Sequence, residues 1–184
     1  MASTIFSSVD YELVIKKSRF IACIQPVADR ASAQAVVQQL WAQHPDATHI
    51  CWALLAGGQS AAVDDGEPSG TAGRPMLEVL RHHDLEGVLA TVVRYFGGVK
   101  LGAGGLVRAY TDAVAQALQR AEKVPLRRLC TQQCAVPYAL EGWMRRQLEQ
   151  SAAVLLAVEH QTQVKMQWQD RKSTRLNSSH SRAS

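Results

Sequence analysis

The sequence predicts an α+β protein built in two parts. Three observations predict it. Short β-rich runs interleave with stretches of helical period up to about residue 124. The pattern then stops at Pro125 and restarts as strand, helix, strand, strand. Apolar residues make up 47% of the 184-residue chain, enough for packed cores.

Residues 11–15 and 19–27 read as two strands joined by the basic turn Lys16-Lys17-Ser18. Asp29 is placed to cap a helix reaching about residue 43, because Ala33, Val36, Val37, Leu40 and Trp41 recur at helical spacing and His44-Pro45-Asp46 ends the run. Residues 48–55 form a buried strand closed by Gly57-Gly58, and residues 60–63 return as a hairpin partner. A helix follows over about 75–83, with proline in its first turn, where a missing N–H costs little. Residues 87–96 are almost wholly apolar, as expected of a central strand covered on both faces. The next helix, about 103–122, carries the stripe Leu106, Tyr110, Ala113, Ala117 and, away from it, an i,i+4 candidate pair Arg108/Asp112.

After residue 125 come a strand to about 136, a helix over 138–150, and strands over 154–159 and 163–169. This βαββ order is most of a ferredoxin-like unit, short of its second helix and last strand. The expected organisation is residues 1–124 as the first domain, 125–170 as a truncated second domain, and 171–184 as a non-native or disordered tail. The tail's KSTRLNSSH string resembles translated vector read-through and is set aside from the fold.

The net charge of +4 lies in that tail. Arg171, Lys172, Arg175 and Arg182 face no acid there, and without them sixteen basic residues balance sixteen acidic ones. Any anion site is therefore a local patch on a neutral body. Cys23, Cys51, Cys130 and Cys134 show no metal or redox spacing and read as reduced thiols of a cytoplasmic protein. Neither a leader nor a membrane-length apolar run is read.

Two glycine-rich segments stand out, DDGEPSGTAGRP from Asp64 and RYFGGVKLGAGGLVRAY from Arg94. In the second, Gly97, Gly98, Gly102, Gly104 and Gly105 lie between a strand and a helix, with Lys100 among them and Arg94, Tyr95 and Arg108 at the ends. Such a loop suits backbone amides and a helix N-terminus facing phosphate or another anion, Tyr95 and Phe96 offering rings to a base. The plainer reading is a tight strand-to-helix connection. The string is neither a P-loop nor a dinucleotide fingerprint. In the first segment Asp64, Asp65 and Glu67 bind a metal, act as acid and base, or pair with Arg74 and Arg94 to fix the loop. The last is preferred, with no metal, cofactor or catalytic residue assigned. Ser69 misses the G-x-S-x-G frame, and Thr71 reads as a helix cap.

DDGEPSGTAGRPMLEVL and VVRYFGGVKLGAGGLVRAY resemble the signature of the IMPACT family, in its bacterial YigZ-like branch, and the resemblance covers residues 11 to about 169. It implies a first domain of the type shared by a small-subunit ribosomal protein, elongation factor G domain IV and the GHMP kinases, with a left-handed βαβ crossover. It also implies a ferredoxin-like second domain similar to the last domain of elongation factor G. The function expected is that of a non-enzymatic, translation-associated regulator binding RNA or a ribosome-associated protein through the glycine-rich basic loop, with no membrane partner. A nucleotide-phosphate enzyme using the same loop, and a protein–protein module using the acidic turn, remain open.

Overall fold

A computed structural model describes residues 2–126 and 129–171; side chains at 129, 130, 170 and 171 lie outside the described set, as do the tail beyond 171 and the reading of Cys130. The chain divides into two compact units, residues 1–126 and 127–184.

The first unit holds β1 (Ser3–Ile5), β2 (Val9–Ile15), β3 (Ser18–Pro26), α1 (Arg30–Gln43), β4 (His49–Ala56), β5 (Gln59–Val63), α2 (Gly73–His82), β6 (Val88–Tyr95), α3 (Gly102–Gln119) and β7 (Lys123–Pro125). Five strands form one antiparallel sheet in the order β2-β3-β6-β4-β5. β3 and β4 both run antiparallel to β6, so they are parallel to one another and joined through α1 across the strand between them. The central position of β6 explains its unbroken apolar run: seven of its eight residues are buried.

Strand alternation sends side chains to two cores. Cys51, Ala53 and Leu55 of β4, with Ala90 and Val92 of β6, face α2 and α3, where Met76, Leu80, Leu106, Tyr110 and Val114 complete the larger core. Trp52, Leu54 and Ala56 face the other way, against Ala33, Val36 and Val37 of α1. Asp29 caps α1 as expected, its carboxylate accepting from Ser32 N at 2.8 Å.

Most boundaries fall within two residues of those expected. The expected helix to residue 122 ends at Gln119, because the chain turns into β7, which pairs antiparallel with β1. That short pair was missed: three-residue strands carry no period, and their pairing spans the unit. The expected Arg108/Asp112 ion pair is absent from those formed among the described residues.

The second unit contains β8 (Leu129–Val136), a 3-10 turn (Tyr138–Leu140), α4 (Glu141–Gln150), β9 (Val154–His160) and β10 (Val164–Arg171). Its antiparallel sheet has the order β8-β10-β9. Leu148 of α4 packs with Val164, Met166 and Trp168 of β10 as a separate small core.

Candidate functional site

The acidic turn is a brace. Asp64 reaches forward to the start of α2: Oδ1 accepts from Ala72 N at 3.1 Å and Gly73 N at 2.8 Å, and Oδ2 from Gly70 N at 2.8 Å. Partial burial opposes ionisation, but the three amide donors outweigh it and hold the carboxyl below its ordinary range. Thr71, read as the cap, instead donates its hydroxyl to Pro68 O at 2.6 Å. Spacing alone pointed to Thr71 because caps are normally adjacent; the loop folds back far enough for Asp64 to take that role. Asp65 accepts from Ile50 N through Oδ2, and its carbonyl meets His49 Nδ1 at 2.7 Å.

Glu67 ties the two glycine-rich segments together. Its Oε1 accepts from Arg94 Nη1 and, at 2.8 Å, from the hydroxyl of Tyr110 on α3. His49 Nε2 lies 3.8 Å away. The Arg94–Glu67 pairing is among those anticipated; its depth is not. Arg94 is only 5% exposed, its guanidinium lying over the rings of Phe20 and Phe96 at 5.3 and 5.6 Å. Among the described residues, its Nε is buried without a hydrogen-bond partner. The expectation that Arg94 offers charge to a ligand is thereby corrected: a guanidinium balanced by a buried carboxylate adds little field outside. Tyr95 follows the pleat to the opposite face, where its hydroxyl meets His44 Nδ1 at 2.7 Å, so it does not share a surface with Arg94.

Tyr110, read only as core, is the polar member of its stripe. A buried tyrosine hydroxyl needs a partner, and this was the available signal for its role. Ser18 was also missed; its buried hydroxyl accepts from Gly97 N at 3.1 Å and lies 3.5 Å from Arg94 Nη2. Beside them the Cys51 thiol lies 3.0 Å from Asp64 O and 3.4 Å from the Tyr110 oxygen. Burial pushes that thiol up to about 12.

The loop from Gly97 to Gly105 divides by purpose. Gly97 is packed so closely that a Cβ would overlap the backbone of Lys17 and Ser18. Gly98 (φ +90°) and Gly102 (φ +76°) supply backbone turns that other residues resist. Gly104 has neither reason: its φ is ordinary for a helix, and nothing lies within 4 Å of where a side chain would begin. The first turn of α3 contains no acidic residue, and among the described residues no side chain caps it. Lys100 and Arg108 are exposed on either side of it, about 9 Å of helix rise separating Gly102 from Arg108. Ser69 and Arg74 are exposed on the neighbouring turn and on α2. Among the described residues no group of three His, Cys, Asp or Glu is placed to hold a metal, and no helix is long and apolar enough to cross a membrane.

The molecule is thus a mixed α+β protein whose two glycine-rich segments meet on one buried carboxylate. The model of the Impact N-terminal domain matches residues 16–118. The chain is 39% identical over 167 residues to IMPACT family member YvyE of Bacillus subtilis, spanning 89% of this chain and 77% of the relative. It is 48% identical over 111 residues to IMPACT family member YigZ of Escherichia coli, spanning 58% of this chain and 54% of that one. A Haemophilus influenzae member is 47% identical over 121 residues, 63% of this chain and 59% of its own. These last two matches cover little more than half of each relative. A crystal structure described as that of a hypothetical protein superposes with a TM-score of 0.67 at 37% identity, over 92% of this chain and 85% of the other. The chain belongs to the IMPACT family and is YigZ-like.

Proposed function

We propose that this chain is a non-enzymatic, translation-associated regulatory protein that binds RNA, or a ribosome-associated partner, through the open glycine-rich turn at the start of α3. The observation that carries the reading is the contrast between two helix starts. Asp64 fills the N-terminus of α2 from within, whereas α3 begins with amides that no described side chain caps, an unobstructed Gly104 and, to either side, the exposed cations Lys100 and Arg108. Uncapped amides at a helix start favour a phosphate oxygen. The carboxylates of Asp64 and Glu67 are held by internal donors, which favours binding over acid–base chemistry. IMPACT membership supports the link to translation. On the same reading, the crossover from β3 to β4 is left-handed, as in elongation factor G domain IV. The described strands and helix of the second unit are then part of a ferredoxin-like domain, a reading supported by the strand order β8-β10-β9.

Filter binding of a short single-stranded RNA across a salt series tests it. Lys100→Ala with Arg108→Ala should weaken binding and flatten the log–log salt slope by about 1.4, at about 0.7 per phosphate contact. An unchanged slope and affinity would remove this site. Gly104→Ala should raise stability by up to about 1 kcal/mol while weakening binding, because alanine favours helix but obstructs the turn. A variant that is more stable and binds equally well would argue against close approach at this turn.

A further inference from the structure

The hairpin turn between β2 and β3 is closed by the pair Ile15 and Ser18, which leaves Lys16 and Lys17 at its tip. Both have positive φ, +46° and +67°. Such a two-residue turn ordinarily carries Asn-Gly, because a β-carbon is disfavoured at both positions. Both lysines are exposed, and among the described residues neither amine has a partner. No contact within the first unit therefore accounts for lysine in this conformation. Strain held by side chains that the fold does not use points to function.

The tip is held against the glycine-rich loop. Gly97 packs on the backbone of Lys17 and Ser18, and the Ser18 hydroxyl both accepts from Gly97 N and lies 3.5 Å from Arg94 Nη2. Phe96 borders the same contact: one side of its ring faces the Arg94 guanidinium at 5.6 Å, and the residue is 47% exposed. Lys100 follows three residues after Gly97, so their Cα atoms lie within about 11 Å. Arg19 is paired with Glu12 at 2.6 Å and Arg94 with Glu67, and the Asp65 carboxylate accepts from Ile50 N. Asp46, exposed two residues before the Thr48 hydroxyl that accepts from Phe96 N, sets one carboxylate against the three lysines. The ring decides the class of partner. An exposed aromatic face beside cations stacks on a nucleobase, which an acidic peptide lacks.

Resting on the RNA reading above, we propose that the Lys16-Lys17 tip and Phe96 extend that site, the lysines taking phosphates and the ring one base of a single strand. The test is anisotropy of a fluorescein-labelled single-stranded RNA of about twelve nucleotides, titrated with the full chain across a salt series. Lys16→Asn with Lys17→Gly installs the residues this turn prefers, so the variant should melt higher than the wild type. It should nonetheless bind more weakly, with a log–log salt slope flatter by about 1.4. Where Asn-Gly disturbs the hairpin, Lys16→Gln with Lys17→Gln carries the same slope test. Phe96→Leu keeps the cover over Arg94 and loses the ring; it should bind at least about five-fold more weakly with the slope unchanged. A hairpin variant with wild-type affinity and slope, or wild-type affinity in Phe96→Leu, overturns the proposal. So does a poly-glutamate peptide that binds as tightly as the RNA, which would assign the lysines to an acidic protein. If the hairpin variants bind as wild type while Lys100→Ala with Arg108→Ala weakens binding, this extension falls and the α3 turn stands. Absence of RNA binding by the wild type removes both.

Discussion

Replacing Glu67 by glutamine keeps the shape of the side chain and removes its charge. Glu67 is 8% exposed and Arg94 5%, so the variant leaves an unbalanced guanidinium inside the first unit, with Nε already lacking a partner. Removing one member of a buried pair typically costs about 3–5 kcal/mol. Glutamine still accepts a hydrogen bond from Tyr110, so we place Glu67→Gln at the lower end, about 3 kcal/mol, or roughly 10 °C in melting temperature for a unit of this size. Amide exchange of β4 and β6 is the appropriate assay, since those strands report the opening of this unit alone. The cause is separable from the size of the effect. If an uncompensated charge is responsible, adding Arg94→Met to Glu67→Gln should restore more than half of the lost stability, because two apolar or neutral groups carry no such penalty. A loss below about 1 kcal/mol in the single variant, or no recovery in the double, would refute the reasoning.

Three further outcomes follow from the same geometry. Asp64→Ala should cost about 1–2 kcal/mol near neutral pH through loss of the α2 cap. The folded carboxyl titrates below its unfolded value, so its contribution is complete above about pH 5 and fades as pH falls through the folded value. Urea unfolding across pH should therefore show the wild-type advantage closing in acid, and a gap that widens in acid would contradict the assignment. Gly97→Ala should destabilise by about 1–3 kcal/mol, since its Cβ meets the fixed backbone of Lys17 and Ser18; a neutral result in thermal unfolding would show that the contact relaxes. Cys51, pushed up to about 12 by burial, should be alkylated at pH 8 at least about a hundred-fold more slowly than in the unfolded chain, read site by site by mass spectrometry. Labelling at the unfolded rate would show that the pocket around Tyr110 opens freely.

The composition of the two glycine-rich segments was enough to mark where they lie, because glycine gives up more conformational freedom on folding than any other residue and collects where the backbone needs it. Periodicity was enough for the helices and the larger strands: the α1 stripe from Ala33 and the apolar run of β6 are local signals. Only the tertiary structure decided how the charges are divided. Arg94, Lys100 and Arg108 look alike in one dimension, but a residue's face of the sheet and distance from a carboxylate are set by pairing across the fold. Glu67 lies 27 residues from Arg94 and 43 from Tyr110, so no local pattern could select it as their shared acceptor. The pleat then turns Arg94 inward and Tyr95 to the opposite face, while Lys100 and Arg108 remain exposed around α3's uncapped start.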